Sequence, residues 1–246
     1  MPEGAHPYPR WEGPLRTGPL FMVVAGQEIR RAFNNFWSRL VLTFVVAYTI
    51  VYVGGLWQNS QSASVALVHT VPAFVEFLDQ MRWGSLAVAA VMAGPSLLED
   101  ARKGGLELYL SRAVSKRDYL TGKILAVFGL ASLAMVLPGI LYWLSAGLLF
   151  RQHPEGWGLA LGGSMVYGLL WGLMVSGLGM GLSAVARSSR AATLILLGTF
   201  VALHVFISVL LQPITRNQQL QILSPFSMME APVSYTHLTL PTNREV

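Results

Sequence analysis

Long apolar runs separated by short polar segments govern this chain. The first continuous run covers residues 40–57, a shorter one covers 83–98, and residues 124–150, 159–185 and 191–211 supply three more. A helix needs roughly 20 largely apolar residues to cross the hydrocarbon core of a bilayer, and backbone groups in lipid must find their partners within their own segment. None of the runs has the residue-by-residue alternation of a barrel strand. The pattern predicts an all-α fold, a polytopic transmembrane helix bundle with five spans. Pro95 and Pro138, each beside a glycine, fall within the second and third runs. There the missing N–H and the clash with the preceding turn predict kinks.

Ahead of the first run, residues 20–39 mix Phe21, Met22, Val24, Ile29, Phe33, Phe36 and Trp37 with Glu28, Arg30, Arg31 and Arg39. This amphipathic pattern predicts a helix lying in the plane of the membrane interface, its aromatics at headgroup level and its basic residues toward anionic lipid. Residues 1–19 form a polar, proline-rich tail without the short apolar core and small-residue cleavage site of a signal peptide. The first span is therefore expected to remain as an anchor.

Composition agrees with a bilayer setting. Of 246 residues, 53% are hydrophobic and 12% charged, against about a quarter charged in a soluble domain, and the mean hydropathy is +0.51. Cysteine is absent, which excludes disulfide and thiol chemistry. The net charge of +5 is not the mark of a nucleic-acid binder here, because its distribution reports topology. Five arginines precede the first span, six basic residues lie between the second and third, and Arg187 and Arg190 lie between the fourth and fifth. The alternate segments hold only Arg82, Arg151 and Arg216. The positive-inside bias puts the N-terminus and the 99–123 segment in the cytoplasm, and the protein is expected to be integral to a bacterial or archaeal cell membrane.

Within the fourth span, Ser164, Gly168, Gly172 and Ser176 recur at four-residue intervals. Small residues so spaced let helices approach closely, so they are candidate helix-packing positions within the subunit or across a dimer. His204 is the one ionisable side chain expected deep in the fifth span, and its simplest reading is a neutral imidazole bonded to a neighbouring helix.

No catalytic constellation is present. Gly122-Lys123 imitates the end of a phosphate loop, but Arg117 stands where the upstream glycine is needed and no strand precedes it. Neither a paired-histidine metal motif nor a serine-nucleophile elbow occurs. No metal ligands and no cofactor are assigned to the chain, which has no ATP-hydrolysing machinery of its own.

The distinctive segment is 99–123, LEDARKGGLELYLSRAVSKRDYLTGK with its preceding leucine, where positive charge is interleaved with carboxylates and with Leu106, Leu108, Tyr109 and Leu110. Its candidate docking residues are Glu99, Gly104, Gly105, Glu107, Leu110, Ser111, Arg112, Ser115, Lys116, Arg117, Tyr119 and Lys123. The glycines permit a turn, the leucines a short amphipathic helix, and Arg112, Lys116 and Arg117 can pair with carboxylates of a docked protein or with lipid phosphates. The run resembles the permease subunits of ABC transporters of the ABC-2 type. In these an acidic residue and a Gly-Thr-Leu-Glu-like turn lead into Leu-Leu-Ser-Arg-Pro-Val-Ser-Arg, an aromatic and then Gly-Lys. Gly105 stands where threonine is usual and Ala113 where proline is usual. Leu223-Ser224-Pro225 likewise resembles the run-in to that family's last span.

The resemblance implies a permease that pairs with a second copy or a paralogue and with cytoplasmic ABC ATPase subunits, which bind the ATP and magnesium, in an ATP-driven exporter. An ion-gradient-driven secondary transporter is the alternative, and it would normally place ionisable groups near the midplane. An intramembrane enzyme would need a paired nucleophile and base, which the runs lack.

The end of the chain is of another kind. With Pro232 written CCT, the following residues can be encoded GTC TCT TAT ACA CAT CTG ACG CTG CCG ACG, similar to the adapter of a transposase-based sequencing library. Residues 233–246 are accordingly expected to be a read-through artefact. The transmembrane domain then covers residues 20–232, and a sixth span is expected beyond it.

Overall fold

The computed structural model describes residues 19–60, 71–102, 104, 115–150 and 156–206. The expected segments 1–18, 105–114 and 207–246 lie outside the described residues, and with them Gly105, Glu107, Leu110, Ser111 and Arg112, the 223–225 run and the 233–246 stretch. Among the described residues every regular element is helical and no strand occurs. The order is α1 (Leu20–Asn34), α2 (Phe36–Ser60), α3 (Val71–Arg102), α4 (Lys116–Leu149), α5 (Trp157–Val185) and α6 (Ser189–Val205).

Local chemistry sets the boundaries. Asn35 is extended, at φ −80° and ψ 128°, and its Oδ1 accepts the Trp37 N–H at 3.0 Å. It thereby caps the N-terminus of α2 and breaks the chain from α1. Ser115 caps α4, accepting the Asp118 N–H at 3.1 Å and donating its hydroxyl to the Asp118 carboxylate at 2.7 Å. That acidic side chain in the first turn also suits the positive end of the helix dipole. Ser188 caps α6 through the Ala191 N–H at 3.1 Å. Gly104, following α3, takes a φ of +70°, the left-handed conformation that often ends a helix.

Three helices are long and apolar enough to cross a membrane: α2 over Phe36–Gln58, α4 and α5. α6 is apolar but shorter, and α3 is not among them. The sequence expectation for the second span, residues 83–98, captures only part of α3. The helix begins at Val71 and carries Glu76, Asp79 and Arg82 on its first half. Arg82, read from the sequence as part of a segment between spans, is instead helical and buried, with its guanidinium 2.5 Å from the Asp79 carboxylate one turn earlier. Both α3 and α4 continue as helices through Pro95 and Pro138.

α3 sits at the centre, against α2, α4, α5 and α6. Its alanines 89, 90 and 93 are fully buried, as are Ala126, Ala131 and Met135 on α4 and Trp171 and Val175 on α5. Hydroxyls stitch the helices across this core: Ser85 donates to the Ala131 carbonyl at 2.7 Å, Thr193 to Ala90 at 3.0 Å and Ser183 to Gly94 at 3.1 Å. Each such bond contributes about 0.6 kcal/mol in a membrane bundle, so close packing carries most of the association. One end is closed by aromatic rings, with Phe77 4.9 Å from Tyr142, Phe74 5.6 Å from Trp157 and the Trp143 indole donating to the Trp157 carbonyl at 2.9 Å. Facing outward, Phe44, Ile50, Val51, Leu148, Leu159 and Leu194 are exposed, an arrangement that suits hydrocarbon and not water.

Candidate functional site

The other end of the bundle is polar. There α1, α3 and α4 converge because Gly122 on α4 has no side chain: a Cβ at that position would stand 2.5 Å from the Phe21 carbonyl and 2.7 Å from Val24. α1 therefore lies directly on the first two turns of α4. The next residue, Lys123, is 1% exposed. Its ammonium is paired with Glu28 of α1, 2.8 Å from the Asp100 carboxylate of α3, and 2.5 Å from the Ser96 carbonyl, with the Ser96 hydroxyl at 3.2 Å. A lysine ammonium has three N–H donors, and this setting uses them all.

Around that centre the pairing spreads. Arg31 on α1 donates to Asp100 at 3.1 Å and to Glu99 at 2.6 Å, and approaches Glu28 at 3.7 Å. The Tyr119 hydroxyl donates to Asp100 at 2.9 Å, and the Tyr119 ring lies 5.2 Å below the Lys123 ammonium. Burial pushes the Asp100 carboxyl up, but hydrogen bonds and charge from Lys123, with hydrogen bonds from Tyr119 and Arg31, outweigh it and hold the group below the usual carboxylate range. Burial likewise opposes the Arg31 charge, yet Glu28, Asp100 and Glu99 together raise it above the ordinary guanidinium value. The cluster binds α1 to both α3 and α4.

Of the residues singled out in the sequence, the fold brings Glu99, Tyr119 and Lys123 into this one cluster. Tyr119 and Lys123, grouped by sequence with the docking segment, are buried and turned toward α1 and α3. Ser115, Lys116 and Arg117 are exposed at the start of α4, and Gly104 is exposed after α3. Arg102 ties the same end together from another side, its guanidinium 2.5 Å from the Arg187 carbonyl between α5 and α6. Sequence reasoning did not single out Glu28, Ser96 or Asp100 as members of a site. The available signal was Lys123 itself, a charge two turns inside an apolar helix, which demands a buried partner.

The four small positions of α5 are buried along the face that meets α4. A Cβ on Gly172 would stand 2.0 Å from the Ser132 hydroxyl, and one on Gly168 2.6 Å from Val136. His204, near the end of α6, is half-buried, with its ring edge-on to Trp83 at 5.7 Å. It lies on a different helix from every member of the charged cluster. Beside the cluster a cavity of about 240 Å³ opens between the α1–α2 junction and α3, with Glu28, Arg31, Asn35, Ser38 and Pro95 in its wall.

A sequence model of the ABC-2 family transporter proteins matches residues 22–244. The chain belongs to the ABC-2 transporter family. No curated protein matches it. Members of this family are membrane components of ABC transporters, so the chain is an integral membrane protein with a transport role, and the ATPase is not its own function. The match runs from the first turn of α1 past the last described residue. α1 and the charged cluster are therefore part of the ABC-2 domain itself.

Proposed function

We propose that this ABC-2 chain is the permease subunit of an ATP-driven exporter, and that the charged end of its bundle couples a separate cytoplasmic ATPase to the transmembrane helices. The observation that carries the reading is mechanical. Ser115, Lys116 and Arg117 are exposed at the N-terminus of α4, and one to two turns further along the same helix Tyr119 and Lys123 are bonded to α3 and α1. A force applied to the start of α4 is transmitted through bonds to two other helices. Coupling of this kind requires the partner to bind differently in the two transport states, since equal binding would shift no population.

In this reading α3 and α6 also cross the bilayer. At about 1.5 Å per residue the 32 residues of α3 extend roughly 48 Å, enough for the hydrocarbon core with both charged ends outside it. α1 lies in the cytoplasmic interface, where its exposed Met22 and Phe33 meet lipid. The N-terminus and the 99–123 segment face the cytoplasm. Two permeases, identical or paralogous, assemble with two ATPase subunits that supply ATP and magnesium.

The test is co-purification. Reversing Arg112 and Arg117 to glutamate together should sharply reduce the ABC ATPase recovered with the affinity-purified chain while membrane insertion is unchanged. Equal ATPase stoichiometry and ATP turnover in the double variant and the unaltered protein would remove the docking assignment.

A further inference from the structure

The cavity beside the charged cluster has more polar capacity than its own walls use. Ser38, in the first turn of α2, is 3% exposed, lines the cavity, and makes no hydrogen bond among the described residues. That is an unusual state for a buried hydroxyl, which normally finds a partner. Pro95 lines the same cavity together with Val91, the residue four positions earlier on α3. Since proline has no N–H, the Val91 carbonyl lacks its usual helical donor. Glu28, also in the wall, engages Lys123 and Arg31 through Oε1 alone, so its Oε2 is a third free acceptor. On the donor side, Asn35 spends its Oδ1 on the Trp37 N–H and keeps its amide N–H groups, and Arg31 keeps its Nε–H.

We propose that this cavity binds the headgroup of an aminophospholipid, a primary ammonium next to a phosphate. Three free acceptors match the three N–H donors of an ammonium, and the Asn35 amide and Arg31 offer donors to a phosphate oxygen. The volume, about 240 Å³, lies below the roughly 300–1,000 Å³ of pockets that engulf a drug-sized molecule. It suits a headgroup whose chains stay outside. Two features favour a lipid over a soluble amine. Ser38 stands at the boundary where an apolar membrane helix begins, next to the polar end of the bundle. Phe36, Trp37 and Leu40 around it are exposed, an aromatic and aliphatic rim at the level where such residues meet the lipid interface. The carboxylates of the wall disfavour a purely anionic headgroup. The site is distinct from the exposed start of α4, and its occupancy does not depend on an ATPase partner.

Native mass spectrometry of the detergent-purified full-length chain tests the proposal, using phosphatidylethanolamine and phosphatidylcholine of matched acyl chains. The choline headgroup has no N–H to give, so the ethanolamine lipid should be retained about tenfold or more strongly. Ser38→Leu, which fills the cavity and removes the hydroxyl, should abolish that preference. Equal retention of the two lipids by the unaltered chain overturns the site, whatever Ser38→Leu does to folding. An ethanolamine preference that survives in a folded Ser38→Leu variant places the lipid elsewhere and also overturns it. Displacement of the lipid by an equimolar amount of free phosphoethanolamine would keep the ammonium–phosphate chemistry but overturn the lipid as its source.

Discussion

At the scale of single residues, Lys123 decides most. A charged amine removed from solvent is tolerated only when its desolvation is offset by close partners, and removing one member of such a group leaves the others buried and unpaired. Lys123→Met should therefore destabilise the purified protein by about 3–5 kcal/mol. The same change at the exposed Lys116 should cost within about 0.5 kcal/mol. Thermal melting in detergent distinguishes them, and coincident melts would mean that the buried network contributes nothing. Asp100 adds a dependence on pH. Its folded-state affinity for protons is depressed, so its contribution is fully present above the ordinary carboxylate value near 3.8 and is lost as the pH falls below it. Acid titration of melting temperature should show a loss in that window for the unaltered chain and a weaker one for Asp100→Asn. A pH profile of identical shape in the two proteins would contradict the assignment.

At the scale of elements, α1 is attached by a glycine as much as by charge. Gly122→Val must push the Phe21 carbonyl away, and backbone cannot yield as a flexible side chain does. The expected result is faster hydrogen exchange in α1 with little change in α3 and α5. Gly129→Ala, with nothing within 4 Å of the new Cβ, should leave exchange in α1 unchanged and stabilise α4 by about 0.5–1 kcal/mol. Uniform acceleration throughout the Gly122→Val chain would show that α1 is not a separable element.

The helices themselves were legible in the sequence because apolar runs of span length leave few other solutions in lipid. The break at Asn35 was less visible, since one extended residue with a capping side chain interrupts an otherwise helical pattern. The first half of α3 was hidden for another reason. Glu76, Asp79 and Arg82 depress a hydropathy average, and the average cannot register that Asp79 and Arg82 neutralise each other one turn apart. The charged cluster was legible only in part. Its lysine and Glu99 stood out, but the partner on α1 lies 95 positions away from Lys123, and no local spacing specifies such a contact.

At the scale of the whole molecule, the charge asymmetry and the fold make one geometric claim. In the proposed arrangement the cluster end, with the starts of α1 and α4 and the α5–α6 turn, faces one side of the membrane, and the aromatic end around Trp143 and Trp157 faces the other. The chain contains no cysteine, so a single introduced thiol reports one position without background. Arg117→Cys puts a thiol at the exposed start of α4, and Gly158→Cys puts one at the opposite end, on an exposed helical position where a Cβ meets nothing within 4 Å. A membrane-impermeant maleimide should label Gly158→Cys in intact cells and Arg117→Cys only in inside-out vesicles. Labelling of both from the same side would contradict a spanning α4, and labelling with the sides exchanged would put the charged end outside. In that second case an ATPase could not reach the start of α4, and the coupling proposed through Tyr119 and Lys123 would have no cytoplasmic input. The orientation measurement therefore bears on the mechanism before any substrate is known.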